Sequence, residues 1–156
     1  MHTVRRAQEG DIPAVMDLLV QVNRVHHNGR PDLFKGPTTK YGPDELRKIF
    51  SDDETPVFVC VDDEGRVLGH GFCVMQHSGG RLMEAHDTLY IDDICVDENA
   101  RGQSVGRALY QHILDYARER GCYNVTLNVW AFNESALHFY QKRGLKAQKI
   151  GMEKIL

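Results

Sequence analysis

The residue pattern predicts a mixed α/β sheet with helices on its faces, from three observations. Apolar residues recur at helical spacing through Ile12, Val15, Leu18, Leu19, Val22 and Val25, the stripe of a helix with one buried side. Val57-Phe58-Val59-Cys60-Val61 is an unbroken apolar run, as a strand covered on both faces requires. Tyr90 to Gly121 reads as strand, polar turn, glycine-containing loop and amphipathic helix, the helix carried by Val105, Leu109, Ile113, Tyr116 and Ala117. Strands alternating with helices of this kind pack as helix layers on a sheet.

Taken in order, Thr3 to Ala7 is a short strand. Asp11 stands where a helix N-cap belongs, with Pro13 in the first turn, and a helix of about 15 residues follows. His26 to Pro37 is broken by Gly29, Pro31, Gly36 and Pro37. Leu33 and Phe34 give that loop apolar residues of its own, which suits either a binding lid or a surface loop pinned by Phe34. Gly42-Pro43-Asp44-Glu45 opens a short helix with Leu46, Ile49 and Phe50. The apolar strand comes next, then a hairpin turn, Asp62 to Arg66, with Gly65 free for positive φ. Val67 to Met75 returns antiparallel, and Gly69 and Gly71 mark a bulge or a close backbone contact. Gln76 to His86 is a polar connection, and Leu89 to Val96 is the strand that feeds the long helix, which Gly121 stops. Val125, Leu127 and Val129 alternate with polar residues as a half-buried strand. Asn133 caps a last short helix ending at Gly144, and strand pieces at 145–147 and 150–156 close the chain. The expected order is β-α-α-β-β-β-α-β-α-β-β in one domain spanning 1–156.

Composition narrows the function. The 156 residues are 42% hydrophobic and 26% charged, with a formal net charge of −3. Nucleic-acid binding needs concentrated positive charge, so no nucleic-acid partner is expected. No apolar run has the roughly 18 residues of a membrane span, and the first residues lack the apolar segment of a signal peptide. A cytoplasmic protein without a membrane partner is expected. Four dispersed cysteines without a CxxC spacing read as buried reduced thiols, and eight histidines without metal-ligand spacing read as no metal site.

The loop Arg101-Gly102-Gln103-Ser104-Val105-Gly106-Arg107 is where an anion would sit. A helix N-terminus offers unpaired N–H groups and a positive dipole end, and Arg101 and Arg107 add charge. An ordinary turn is the competing reading. If the strands before Arg101 and before Asn133 are neighbours, both following helices start at the same sheet edge, where ligands of α/β sheets bind.

These residues carry a resemblance. Arg101-Gly102-Gln103-Ser104-Val105-Gly106 is similar to the Arg/Gln-x-x-Gly-x-Gly/Ala pyrophosphate loop of the GNAT acetyltransferase superfamily, with Ser104 in place of the middle glycine. Asn133 to Gly144, with Phe139-Tyr140 inside it, resembles that family's second element. The resemblance covers nearly the whole chain and implies a splayed pair of central parallel strands. It implies acetyl-CoA as co-substrate, no metal, and a primary amine acceptor on a small molecule. By position, backbone of Ile94, Cys95 and Val96 would pair with the pantetheine. Arg101, Gly102, Gln103, Ser104, Val105 and Gly106 would hold the pyrophosphate, assisted by Arg107. Asn133 would bond the pantetheine arm, and Lys142 would reach the phosphates. A first-turn helical position at Ser104 tolerates a Cβ, and its hydroxyl would donate to phosphate. A homodimer, common in the family, is the assembly to look for.

The implied reaction is direct attack of a neutral amine on the thioester. Tyr140 resembles the family's general acid for the leaving thiolate, against a plain core aromatic beside Phe139. Backbone N–H near Cys95 and Val96 would hold the oxyanion. Asp92 and Asp93 are the candidate bases, the alternative being a water chain, and adjacent strand residues point to opposite faces. The acidic pair is similar to that of spermidine/spermine-type acetyltransferases. Cys95 in an apolar strand packs as a small hydrophobe rather than acting as a nucleophile. Acceptor walls are expected from His26, His27, Asp32, Phe34, Glu84, Tyr90, Asp93 and Trp130, a mix suited to a cationic amine. A protein N-acetyltransferase and a CoA-binding sensor module without catalysis are the alternatives.

Overall fold

The computed structural model describes residues 1–156. Its sheet has five strands, β1 (His2–Arg6), β2 (Val57–Asp62), β3 (Val67–Ser78), β4 (His86–Val96) and β5 (Asn124–Leu127), in spatial order β1-β2-β3-β4-β5. The first three pairings are antiparallel, and β4–β5 is parallel. The helices are α1 (Ile12–Gly29), α2 (Pro43–Phe50), α3 (Val105–Glu119) and α4 (Glu134–Lys142). The mixed α/β class expected from the residue pattern is the observed one.

Two cores lie on opposite sides of the sheet. On one, Val57, Val59, Val61 and Phe72 meet Ile12, Val15 and Leu19 of α1 and Leu46 and Phe50 of α2. On the other, Phe58, Cys60, Cys73, Met75, Leu89 and Ile91 meet Val105, Leu109, Ile113 and Ala117 of α3. The apolar run of β2 therefore feeds both cores by alternation. Gly69 and Gly71 let α3 lie close to β3. A Cβ on Gly71 would stand 2.8 Å from Ile113 Cδ1, and one on Gly69 would stand 3.0 Å from Val105 Cγ1 and 2.7 Å from the Cys95 carbonyl oxygen of β4.

Three local expectations are corrected. Asp11 precedes α1 but does not cap it. Its carboxylate accepts Arg5 Nη1 at 2.8 Å, Arg5 Nη2 at 3.0 Å and the Gln8 amide at 2.8 Å. That pins β1 to the start of α1. Strand β5 stops at Leu127 rather than Trp130. The strands expected at 145–147 and 150–156 do not form: beyond Leu145 the chain is exposed and irregular, held by an ion pair of Glu153 with Arg30. A strand needs a ladder partner, and β5 offers an edge of only four residues.

Candidate active site

β4 and β5 pair from Thr88↔Asn124 to Ile91↔Leu127 and then part, while β4 runs on to Val96. The edge of β4 from Asp92 to Val96 is thus open. The Asp97 amide bonds the Leu68 carbonyl on β3 at 2.8 Å, so by ladder alternation the backbone groups of Cys95 and Asp93 also face β3. Those of Ile94 and Val96 face the open edge. This corrects Cys95 as a backbone contact. Its thiol points the other way, 3.5 Å from the Leu18 carbonyl in α1, and burial with nearby Asp93 raises its pKa far above that of a free thiol. An acyl-cysteine role does not fit so inert a group.

At the end of the open edge lies a cavity of about 340 Å³ lined by Val96, Ala100, Arg101, Gly102, Ser104, Val105, Gly106, Arg107, Phe139 and Arg143. Gly102 has φ +83°, and Ser104, at the N-cap of α3, has φ +62°. Ser104 therefore precedes the helix in a left-handed conformation that a glycine adopts without strain. The expectation of a first-turn helical residue there is corrected, and the conformation costs about 1 kcal/mol. The i→i−4 ladder of α3 begins at the Ala108 amide, which bonds the Ser104 carbonyl at 3.0 Å. The amides before it are left for a ligand. A Cβ on Gly106 would make only ordinary contacts with Val96 and Phe139.

Two residues of the expected cofactor set lie elsewhere. Gln103 does not line the cavity, and its carbonyl is 2.8 Å from His2 Nε2 of β1. Lys142 is exposed and off the cavity, whereas Arg143 lines it, its guanidinium 4.6 Å from the Phe139 ring centre and its Nε buried without a partner. The spacing of Phe139 on α4 and Arg143 at its C-cap, four residues apart, is the signal that would have found it. None of Arg101, Arg107 and Arg143 is in an ion pair. Asn133 caps α4 by accepting the Ala136 amide at 3.2 Å, leaving only its Nδ2 donors free.

The register of β3 and β4 slips at Phe72/Cys73: Phe72 opposes Asp93 and Cys73 opposes Ile91, so Asp92 is the extra residue of a bulge. A bulge breaks the strict alternation of side chains. Both carboxylates are consequently bonded on the α1–α2 side of the sheet, Asp92 by Lys40 of the α1–α2 connection and Asp93 by His70 of β3, correcting the expectation of opposite faces. Asp92 Oδ2 accepts Lys40 Nζ at 2.7 Å, from the α1–α2 connection, where Tyr41 stacks on Phe72. Asp93 Oδ2 lies 2.6 Å from His70 Nε2, whose ring packs edge-on against Phe72. His70 was not singled out in the sequence, although its alternation with Phe72 on β3 places it on that face.

Around Asp93 the remaining groups converge. Tyr140 is held above the ordinary phenol range by burial, then by the Asp93 charge, Tyr110 and Cys73, and its hydroxyl has no hydrogen-bond partner in the chain. It packs edge-on against Phe139 and Tyr110. His26 is lowered by burial, with Asp93 opposing and Lys40 reinforcing, so it is neutral at neutral pH. It lies 4.9 Å from Phe34, Phe34 lies 5.3 Å from Trp130, and Trp130 stacks on Phe132. A Cβ on Gly29 would stand 2.2 Å from the Phe132 ring, so the close seat of that ring on α1 needs the glycine. Tyr90 binds Asn128 through its hydroxyl where β4 and β5 part.

Three expected wall residues are not there. His27 is 2.7 Å from the Phe34 carbonyl and anchors the loop. Asp32 is paired with Arg30. Glu84 precedes β4 at its far end, about 25 Å of strand from Asp93.

A model of the acetyltransferase (GNAT) family matches residues 23–145. The chain is 34% identical over 98 residues to a glucosamine 6-phosphate N-acetyltransferase of Trypanosoma brucei brucei, covering 61% of this chain and 60% of that protein. It is 34% identical over 93 residues to a streptothricin acetyltransferase of Streptomyces lavendulae, covering 60% and 46%. These matches span about half to three fifths of those relatives. Among solved structures, the BH1408 protein of Bacillus halodurans, as a tetramutant, superposes with a TM-score of 0.94 at 29% identity over 99% of both chains.

Proposed function

We propose, from the premise that the chain belongs to the acetyltransferase (GNAT) family, that it transfers an acetyl group from acetyl-CoA to the amine of a small molecule. The observation that carries this is the junction of two features at the parting of β4 and β5. An arginine-lined cavity at the α3 N-terminus lies at one end of an open strand edge, and Tyr140 and Asp93 lie along it. The residues fit the co-substrate: three unpaired guanidiniums, free helix amides and the unpartnered Arg143 Nε suit a pyrophosphate. Acetyl-CoA supplies the activated acyl carbon when bound.

In this reading Asp93 takes a proton from the incoming ammonium, directly or through water, and the amine nitrogen bonds to the acyl carbon. The N–H of Ile94 or Val96 donates to the developing oxyanion. As the carbon–sulfur bond breaks, Tyr140, kept a phenol by its surroundings, gives its proton to the departing sulfur, and the second proton lost by the nitrogen returns through water to the phenolate. The acceptor follows from charge. Asp92 is already neutralised by Lys40, so one carboxylate faces the acceptor, beside the wall of His26, Phe34 and Trp130. A single ammonium on a flat or apolar body matches this better than a polyamine does. An assay of thiol release tests it with tyramine, phenethylamine, glucosamine 6-phosphate, spermidine and a lysine peptide. Turnover of the aromatic monoamines above spermidine is expected. Faster spermidine turnover would overturn the acceptor class, and CoA binding without turnover of any amine would favour a binding module.

A further inference from the structure

His70 is fully buried in β3, and its ring is fixed by the edge-on contact with Phe72 at 4.9 Å. Nε2 lies 2.6 Å from Asp93 Oδ2, and Nδ1 is buried with no partner. An ionised carboxylate only accepts, so the proton of this bond sits on Nε2. The bond thus fixes Nε2 as the nitrogen that donates to Asp93.

We infer that His70 is a positioning residue: its Nε2–H holds Asp93 Oδ2 and leaves Oδ1 for the acceptor ammonium or a bridging water. The inference rests on the reading of Asp93 as the proton acceptor. Asp93 Oδ1 has no hydrogen-bond donor within the chain, and the Asp93 side chain is 19% exposed, so that oxygen can meet a ligand. The other groups that feel the Asp93 charge are His26 from α1, Cys95 on β4 and Tyr140 on α4, with Lys40 of the α1–α2 connection beside His26, Tyr41 and the adjacent Asp92, and with Tyr110 and Cys73 beside Tyr140. Lys40 is committed to Asp92, Cys95 is turned to Leu18, and Tyr140 and Asp93 do not bond each other. His70 alone fixes the Asp93 oxygen.

The proton that Asp93 takes from the ammonium resides on the carboxyl and passes to solvent after the amide forms, while His70 keeps its own proton throughout. The histidine is thus an orienting donor rather than a relay. A site so built turns over only where Asp93 is ionised, and losing the donor makes that carboxylate easier to protonate.

The test is the pH profile of kcat/KM with tyramine and acetyl-CoA for wild type, His70→Leu and His70→Gln, with imidazole tautomers read by long-range proton–nitrogen NMR on the wild type. We expect the His70 proton to sit on Nε2 at the pH of maximal activity. His70→Leu should lose about 10- to 100-fold at neutral pH, the equivalent of one charge-assisted hydrogen bond, and move the acid limb up. His70→Gln, which restores a donor, should keep the wild-type limb. The same Leu shift should appear in a His26→Asn background, which removes the other imidazole near Asp93. An Nδ1–H tautomer, or a folded His70→Leu with an unmoved acid limb and lowered stability alone, would overturn the inference. If His70→Leu does not fold, the tautomer and the His70→Gln limb decide it, and a shifted Gln limb counts against. Full activity in Asp93→Asn would instead remove the base assignment itself, an outcome separate from an unmoved limb in His70→Leu.

Discussion

At the residue scale the site is defined by which groups are already satisfied. Tyr140 has a hydroxyl without a protein partner and stays protonated across the working pH range, so it is equipped to give a proton. Tyr140→Phe keeps the ring contacts with Phe139 and Tyr110 while removing the proton. Turnover should fall about 100-fold or more, within the span of general-acid effects, while the calorimetric Kd for CoA stays within about twofold. Unchanged kcat would reduce Tyr140 to a packing residue. Asp92 is the opposite case: its carboxylate is spent on Lys40, and burial works against the Lys40 charge but is outweighed by Asp92. One acid of the pair is structural and one is open, a division that identical side chains at neighbouring positions conceal.

At the scale of elements, two close contacts set the geometry. Gly69 and Gly71 seat α3 on β3, and Asp11 ties β1 to α1. Asp11 is nearly buried; burial raises its pKa, but the Arg5 hydrogen bonds, the Gln8 amide and the Arg5 charge together lower it below the usual carboxylate value. A lowered folded pKa means the stabilisation is full above the unfolded value near 3.9 and is lost as pH falls through the folded one. Asp11→Asn should therefore cost about 1–3 kcal/mol at pH 7 by urea unfolding, and the gap from wild type should close below pH ~4. A gap that is constant with pH would mean the carboxylate charge is not what β1 and α1 share. Much of this layout was legible beforehand, because apolar periodicity reports burial: the stripe from Ile12 to Leu19, the β2 run and the α3 face became core, while Val22 is half-buried and Val25 exposed. What periodicity cannot report is register. The bulge at Asp92 depends on how β3 slips against β4, so the two acids sharing one layer, and His70 reaching Asp93, were out of sight. The terminal strands failed for a related reason, since alternation shows a segment fit for pairing but not whether an edge awaits it. Arg143 was hidden by its neighbour Lys142, which matches the charge but not the helical phase.

For the whole molecule, the layers and the charge distribution meet at one place. Two cores hold the sheet from both sides, and where β5 leaves β4 the inner edge of β4 is left without a strand partner. The formal net charge is −3, yet the cavity at that opening is lined by three arginines and no acid. Long-range attraction of an anion is thus opposed by the molecule as a whole and supplied locally, by groups that are unpaired until a ligand arrives. Such binding should weaken with salt, because exposed charges are screened within about 10 Å at 0.1 M and about 3 Å at 1 M. Titration calorimetry with CoA should show Kd rising steeply between 50 and 500 mM NaCl for the wild type. Arg143→Gln should bind about tenfold more weakly at the lower salt and with a shallower slope, having lost one charge-assisted contact. Lys142→Gln, which changes the same charge at an exposed position off the cavity, should follow the wild type. If the two variants behaved alike, net charge rather than the placement of Arg143 over Phe139 would govern the cofactor site.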